Sequence, residues 1–113
     1  MKYVEPSPAS RDALAVALAG GDGRTIAETL VGLTNSDEDW RWVQDTCLEL
    51  LHHDDIGVRA IAITCLGHLA RIHGELDTDK VRPILTELLS DPELGGRAED
   101  ALDDIKRFVR SGG

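Results

Sequence analysis

Residues 48–70 read LELLHHDDIGVRAIAITCLGHLA, and this stretch decides the fold. Its first turn ends an apolar helix on Leu50-Leu51, and His52, His53, Asp54 and Asp55 then break the hydrophobic run. Beyond them Ala62, Leu66 and Leu69 recur at spacings of four and three, which keeps them on one helical face. Asp54 or Asp55 is a good N-cap for that second helix, and Gly74 after His73 is a typical stop. The stretch is therefore a helical hairpin with an acidic turn.

Outward from it, the same pattern returns. Ala62, Leu66 and Leu69 recur 36 residues later as Ala98, Leu102 and Ile105. Going backwards by 35 residues, Arg59, Ala62, Leu66 and Gly67 match Arg24, Ala27, Val31 and Gly32. Leu88-Leu89 closes a helix before an Asp-containing turn, as Leu50-Leu51 does. A period in the mid-thirties marks an array of helical hairpins that must stack to bury their apolar faces.

Gly, Pro and Asp/Asn/Ser punctuation then divides the chain into six helices. The first runs from about Ala9 to Ala19 and stops at Gly20-Gly21; the second follows Asp22 and carries Ile26, Ala27, Leu30, Val31 and Leu33. The third is predicted from a Ser36 N-cap, with Asp39 three residues on, to about His52. The fourth ends at His73, and Asp77 or Asp79 opens the fifth. Pro83 predicts a kink or late start there. Asp91-Pro92 opens the sixth, with Gly95-Gly96 delaying its regular part, and 111–113 form a frayed tail. The predicted architecture is all-α, one domain over 1–113, in three units of approximately 9–35, 36–74 and 77–110.

On Val58-Arg59, Ala62 and Leu66-Gly67, the segment Leu48–Ala70 resembles a HEAT repeat of the short type: paired Leu, acidic turn, Val-Arg, Ala, Leu-Gly. The flanking units depart from it, with Gly95 where Arg59 would fall and Asp103 where Gly67 would fall. The resemblance implies a short right-handed α-solenoid of about three antiparallel helix pairs whose work is to bind other proteins. In size, charge and helical build the chain is also similar to small acidic bacterial toxin-immunity proteins. That similarity implies a partner that is a toxin domain, often a basic nuclease.

Charge points the same way. The 113 residues carry 21 acidic and 12 basic side chains, a formal net charge of −9. Such a chain repels a phosphate backbone, which argues against nucleic acid, and attracts a basic protein. No run approaches the roughly 18 apolar residues of a membrane span, and the first ten residues lack the apolar core of a secretory signal. Cys47 and Cys65 fall in apolar helical segments, as reduced core thiols of a cytoplasmic protein.

Catalytic and metal chemistry find little purchase, and no cofactor is implied. Glu49 and His52 share a helix face, but di-iron helices need that motif twice. The His52-His53-Asp54-Asp55 cluster reads as a helix end followed by a cap, with metal binding or catalysis the lesser alternative. His68 and His73 are five apart, the wrong spacing to chelate one metal. Ser7, Ser10, Ser36, Ser90 and Ser111 lie at caps, turns or tails, and Gly20-Gly21-Asp22-Gly23 lacks the Lys-Ser/Thr of a phosphate loop.

What remains are surfaces. Trp40 belongs with the core face of the third helix, while Trp42 lies opposite among Asp45, Glu49 and His53. Trp42 is either a binding anchor or a packing residue against an adjoining repeat. The even-numbered helices carry a second surface: Ala60, Thr64, Gly67, His68 and Arg71 on the fourth, Gly96, Asp100, Asp103, Asp104 and Arg107 on the sixth, and Thr25, Thr29 and Gly32 on the second. Stacking aligns these into a strip, small and neutral in the middle and acidic at one end, where Glu99, Asp100, Asp103 and Asp104 receive Lys and Arg of a partner. A non-enzymatic binding role for Trp42 and that strip is the reading carried forward. The alternative is a structural array that stacks end to end into an oligomer.

Overall fold

The computed structural model describes residues 10–110. The readings above for Ser7, Ala9, Ser111 and the 111–113 tail lie outside the described residues. Six helices follow in order: α1 (Arg11–Gly20), α2 (Gly23–Ser36), α3 (Trp40–Leu50), α4 (Ile56–His73), α5 (Thr78–Leu88) and α6 (Gly95–Phe108). There is no strand among the described residues.

Caps set most of these boundaries. The Ser10 hydroxyl accepts from the Ala13 N–H at 2.9 Å, and Asp55 accepts from Gly57 and Val58 at 2.7 and 3.3 Å. At the C-terminal ends of α1 and α4 the chain turns through Gly21 and Gly74 at φ 76° and 66°, where a side chain would be strained. One cap differs from expectation. Ser36 is the last residue of α2, and Asp39 caps α3 by accepting from Trp42 N–H at 3.1 Å. The Ser36 hydroxyl bonds back to the Gly32 carbonyl, which keeps it helical. In addition, α3 stops at Leu50 rather than His52, and α5 begins at Thr78 and runs unbroken through Pro83, so there is no late start. Pro83 is exposed, so water can serve the carbonyl it leaves without a donor.

The helices form two layers. α4 packs between α2 and α6 in one row, while α1, α3 and α5 lie against α2, α4 and α6 respectively. The slab measures 51 × 31 × 17 Å, and its narrow dimension suits two helix layers about 8–10 Å apart. This is a short helical-repeat solenoid. As the central helix, α4 buries Val58, Ala62, Ile63, Cys65, Leu66, Gly67, Leu69 and Ala70, which spreads its apolar character over several faces. At the row's end α6 buries only a stripe of Ala98, Ala101 and Ile105 behind its N-terminal Gly95.

Burial fixes the repeat register. Val58, Ala62, Cys65 and Leu69 are buried, and so are Leu94, Ala98, Ala101 and Ile105, each 36 residues later. Asp91 repeats the hydrogen bonds of Asp55, accepting from Glu93 and Leu94 at 2.8 and 2.9 Å, but here they close the turn that leads into α6, whose N-cap is Leu94. Towards the N-terminus the offset is also 36, not 35. Ile26, Thr29, Leu30, Leu33 and Thr34 are the buried counterparts of Ala62, Cys65, Leu66, Leu69 and Ala70. Ala27 and Val31, which the shorter offset placed in the core, are half-buried. Thr29, expected on the polar strip, is buried instead, its hydroxyl donating to the Thr25 carbonyl at 2.8 Å.

A buried amide ties the second pair to the third. Gln44 is fully buried; its Oε1 accepts from the Asp77 backbone N–H at 2.7 Å and its Nε2 donates to the Asp77 carboxylate at 2.9 Å. Asp77 therefore opens α5 without a side-chain cap bond, because its carboxylate is engaged by Gln44. Gln44→Leu keeps the volume but leaves the Asp77 N–H without its partner. The expected loss is about 1–3 kcal/mol, read by urea unfolding; no change would mean that water replaces the amide.

Candidate protein-binding face

Between α4 and α6 runs a groove of about 450 Å³, lined by Thr64, His68, Arg71, Arg97, Asp100, Ala101, Asp103 and Asp104. Its floor depends on Gly67. A Cβ there would lie 3.2 Å from Ala101 Cα and 2.9 Å from the Asp104 carboxylate, so α6 rests directly against the α4 backbone. Gly67 was expected on the open strip; it is buried because it is the crossing point. Its counterpart 36 residues on is the exposed Asp103, as suits the end of the row, where none of the six helices packs against α6 from outside.

Six of the eight residues named from the sequence line this groove: Thr64, His68, Arg71, Asp100, Asp103 and Asp104. Glu99 does not. It lies in a neighbouring cleft with Arg82, Thr86 and Lys106, which Asp100 and Asp103 also line. Trp42 is elsewhere again, in a cleft between α1 and α3 lined by Arg11, Leu14, Ala15, Leu18, Asp45, Thr46 and Glu49. Trp42 and the groove have no wall in common.

The groove is less uniformly acidic than expected. Arg97 enters it, donating to the Thr64 hydroxyl at 2.8 Å. Asp103 pairs with Arg107 one turn on, at 3.2 Å. Among the described residues, Asp100 and Asp104 enter no salt bridge or side-chain hydrogen bond. They are the uncommitted acceptors of the face. Arg97 escaped sequence reading because its repeat counterpart is the apolar Ile61, so nothing in the pattern flagged a polar position.

A second concavity of about 430 Å³ adjoins the groove and shares His68 and Arg71 with it; Asn35, Ile72 and Phe108 complete its wall. Ile72 and Phe108 are 48% and 44% exposed, and were not singled out in the sequence. The signal was there, since they sit 36 residues apart at one repeat position.

Around Trp42 the contacts are structural. The indole is half-buried against the core, and the Arg11 guanidinium stacks over it at 4.2 Å. Arg11 also pairs with Asp37 at 2.8 Å and Asp39 at 3.4 Å, pinning α1 to the α2–α3 turn. Trp42→Ala is expected to lower stability by about 1–3 kcal/mol, through lost packing and the lost cation–π contact. Thermal unfolding reads it; an unchanged Tm would return Trp42 to the list of free anchors. Trp40 is likewise half-buried at an edge rather than in the core, lining a cleft with Leu76 and Val109 under Arg41.

Four aspartates titrate low. Hydrogen bonding from Arg11 holds the Asp37 carboxyl down, Gln44 and then Arg41 do so for Asp77, the Leu94 and Glu93 N–H groups for Asp91, and the Thr25 hydroxyl for Asp22. Folded values below unfolded ones stabilise the fold above the ordinary aspartate value and lose that contribution as pH falls through the folded values. Tm is therefore expected to be flat from about pH 7 to 5 and to fall below about pH 4. A Tm unchanged down to about pH 2.5 would contradict these pairings.

Cys47 and Cys65 are free, fully buried neighbours. The neighbouring Cys65 thiol, reinforced by burial, pushes the Cys47 thiol up. Around His52-His53-Asp54-Asp55, the Asp55 carboxylate caps α4 while His53 Nδ1 accepts from the Asp55 N–H at 3.0 Å. No group of three or more His, Cys, Asp or Glu side chains among the described residues converges as a metal site. None of the described helices is long and apolar enough to cross a membrane.

Against known proteins, the HEAT repeat model matches residues 43–73, the α3–α4 hairpin. Over nearly its whole length the chain is similar to one in the crystal structure of a CDI complex from Cupriavidus taiwanensis: 30% identity, 96% of each chain covered, TM-score 0.80. The chain belongs to the HEAT-repeat family. Among curated proteins no sequence matches it. Within this HEAT protein the family positions have structural duties. Val58, Ala62 and Leu66 are core, and Gly67 is the crossing. In the last unit Gly95 replaces Arg59 because a Cβ there would lie 2.5 Å from the Leu89 carbonyl oxygen.

Proposed function

We propose that this HEAT protein is a non-enzymatic binding module of the immunity type, which engages a basic toxin domain through the α4–α6 groove and so blocks it. The supporting observation is the groove itself: six residues chosen from the sequence for their polarity converge on one concavity, where Asp100 and Asp104 are left without partners. The similar chain of a CDI complex, 30% identical with 96% of each chain covered, supports an assembly with another protein. The formal charge of −9 supports a basic partner, drawn in by long-range attraction. On this reading the protein works in the cytoplasm, where its free buried thiols stay reduced.

The test is protection. The product of the adjacent gene, expressed alone, should arrest growth, and co-expression of this chain should restore growth and yield a 1:1 complex. Growth arrest that persists beside well-folded chain, with no complex recovered, would overturn the proposal.

A further inference from the structure

We infer that the face takes a two-part determinant: an aliphatic or aromatic side chain of the partner seated on Ile72 and Phe108, with a Lys or Arg close by in its sequence reaching Asp100 and Asp104. This rests on the protein-binding reading and goes further, since it assigns the adjoining concavity and its chemistry.

The first support is the repeat. Ile72 and Phe108 occupy one position in successive units, so stacking α6 on α4 sets two large apolar side chains side by side at the helix ends. Both stay about half exposed although α2, α4 and α6 have a packed core within reach. The Arg71 guanidinium lies over the Phe108 ring at 5.9 Å from its centre, the outer reach of a cation–π contact, and Phe108 is still 44% exposed. An apolar occupant would remove both side chains from water.

Charge supplies the second half. Within the adjoining groove Arg97 is bonded to Thr64 and Asp103 to Arg107, which leaves the Asp100 and Asp104 carboxylates as the acceptors on offer. The two concavities share His68 and Arg71 as a common wall, so neighbouring side chains of one partner segment can fill both. A purely basic segment would satisfy only the groove, and a purely apolar one only the seat.

Amide NMR with synthetic peptides tests this without the native partner. One peptide repeats Leu-Lys and Phe-Arg pairs, a second has Ser in place of Leu and Phe, and a third has Glu in place of Lys and Arg. The first should shift the amides of Asn35, Arg71, Ile72, Asp100, Asp104 and Phe108, with both others at least about tenfold weaker. Ile72→Ser and Phe108→Ser, each verified as folded by circular dichroism, should weaken the first peptide about fivefold or more. Equal binding of the first two peptides, shifts centred on α1 and α3, or no shift at all would overturn the inference. Peptide failure alongside successful growth protection would leave the immunity reading standing, whereas failure of protection would not move these shifts. Concentration-dependent broadening without peptide, removed by Phe108→Ser, would instead identify a second copy of the chain as the occupant and overturn the inference as well.

Discussion

Gly67→Leu is expected to lower the unfolding free energy by about 2–3 kcal/mol and Tm by about 10–20 °C. The cause is local. A Cβ at this position already meets Ala101 Cα at 3.2 Å, and the longer side chain would have to push α6 off α4. Ala101, Ile105 and Ala98 would then lose their packing together. Gly67→Ala separates sterics from propensity. The methyl gains roughly 1 kcal/mol as a better helix former, which offsets much of its overlap, so the net change should stay within about 1 kcal/mol. Urea denaturation of the two variants is the check. Equal stability of wild type and Gly67→Leu would mean that α6 does not rest on α4 at this crossing.

The second large effect is on association. Reversing both free acceptors, Asp100→Lys with Asp104→Lys, moves the formal net charge from −9 to −5 and leaves the groove with Arg71, Arg97 and two lysines. At about 20 mM salt the association rate with a basic partner should fall roughly 10–100-fold, and at about 0.5 M salt the difference should shrink to a few-fold, because screening removes the long-range part. Reversing Glu99 alone, which does not line the groove, should change the rate much less. Stopped-flow measurements across that salt range decide the matter. Rates independent of the reversal at low salt would remove this end of the groove from the encounter surface.

Much of the fold was legible because it rests on periodicity and caps. Residues 48–70 carry spacing, an acidic N-cap and a Gly stop within one hairpin, and each has a local physical cause. The register of the first unit was not so plain. Matching Arg24 and Gly32 to Arg59 and Gly67 favours an offset of 35, whereas burial obeys 36, and only packing shows which helix face turns inward. The Ser36 cap failed for a related reason: Ser and Asp39 both satisfy the local rule, and the longer reach of α2 decides between them.

The face was half legible. Polar residues on the even-numbered helices gave Thr64, His68, Arg71 and the three aspartates, since strip position follows from helical geometry. Gly67 was misplaced because a small residue reads equally as an open patch or as a close crossing. Arg97 was missed because its repeat counterpart is the apolar Ile61, and Ile72 and Phe108 because spacing does not tell an apolar residue at a helix end that meets solvent from one that meets core. Trp42 was left open by its spacing, and its stack with Arg11 joins segments 31 residues apart that no local pattern connects.

The most direct test of the proposed protein-binding face is hydrogen–deuterium exchange of the chain, free and bound to the adjacent-gene product. Protection is expected along 61–72 and 97–108, the walls of the groove and its apolar seat, with α1 and the first turns of α3 unchanged. Protection centred on 11–18 and 40–49, with none on α6, would contradict it and assign recognition to the Trp42 cleft.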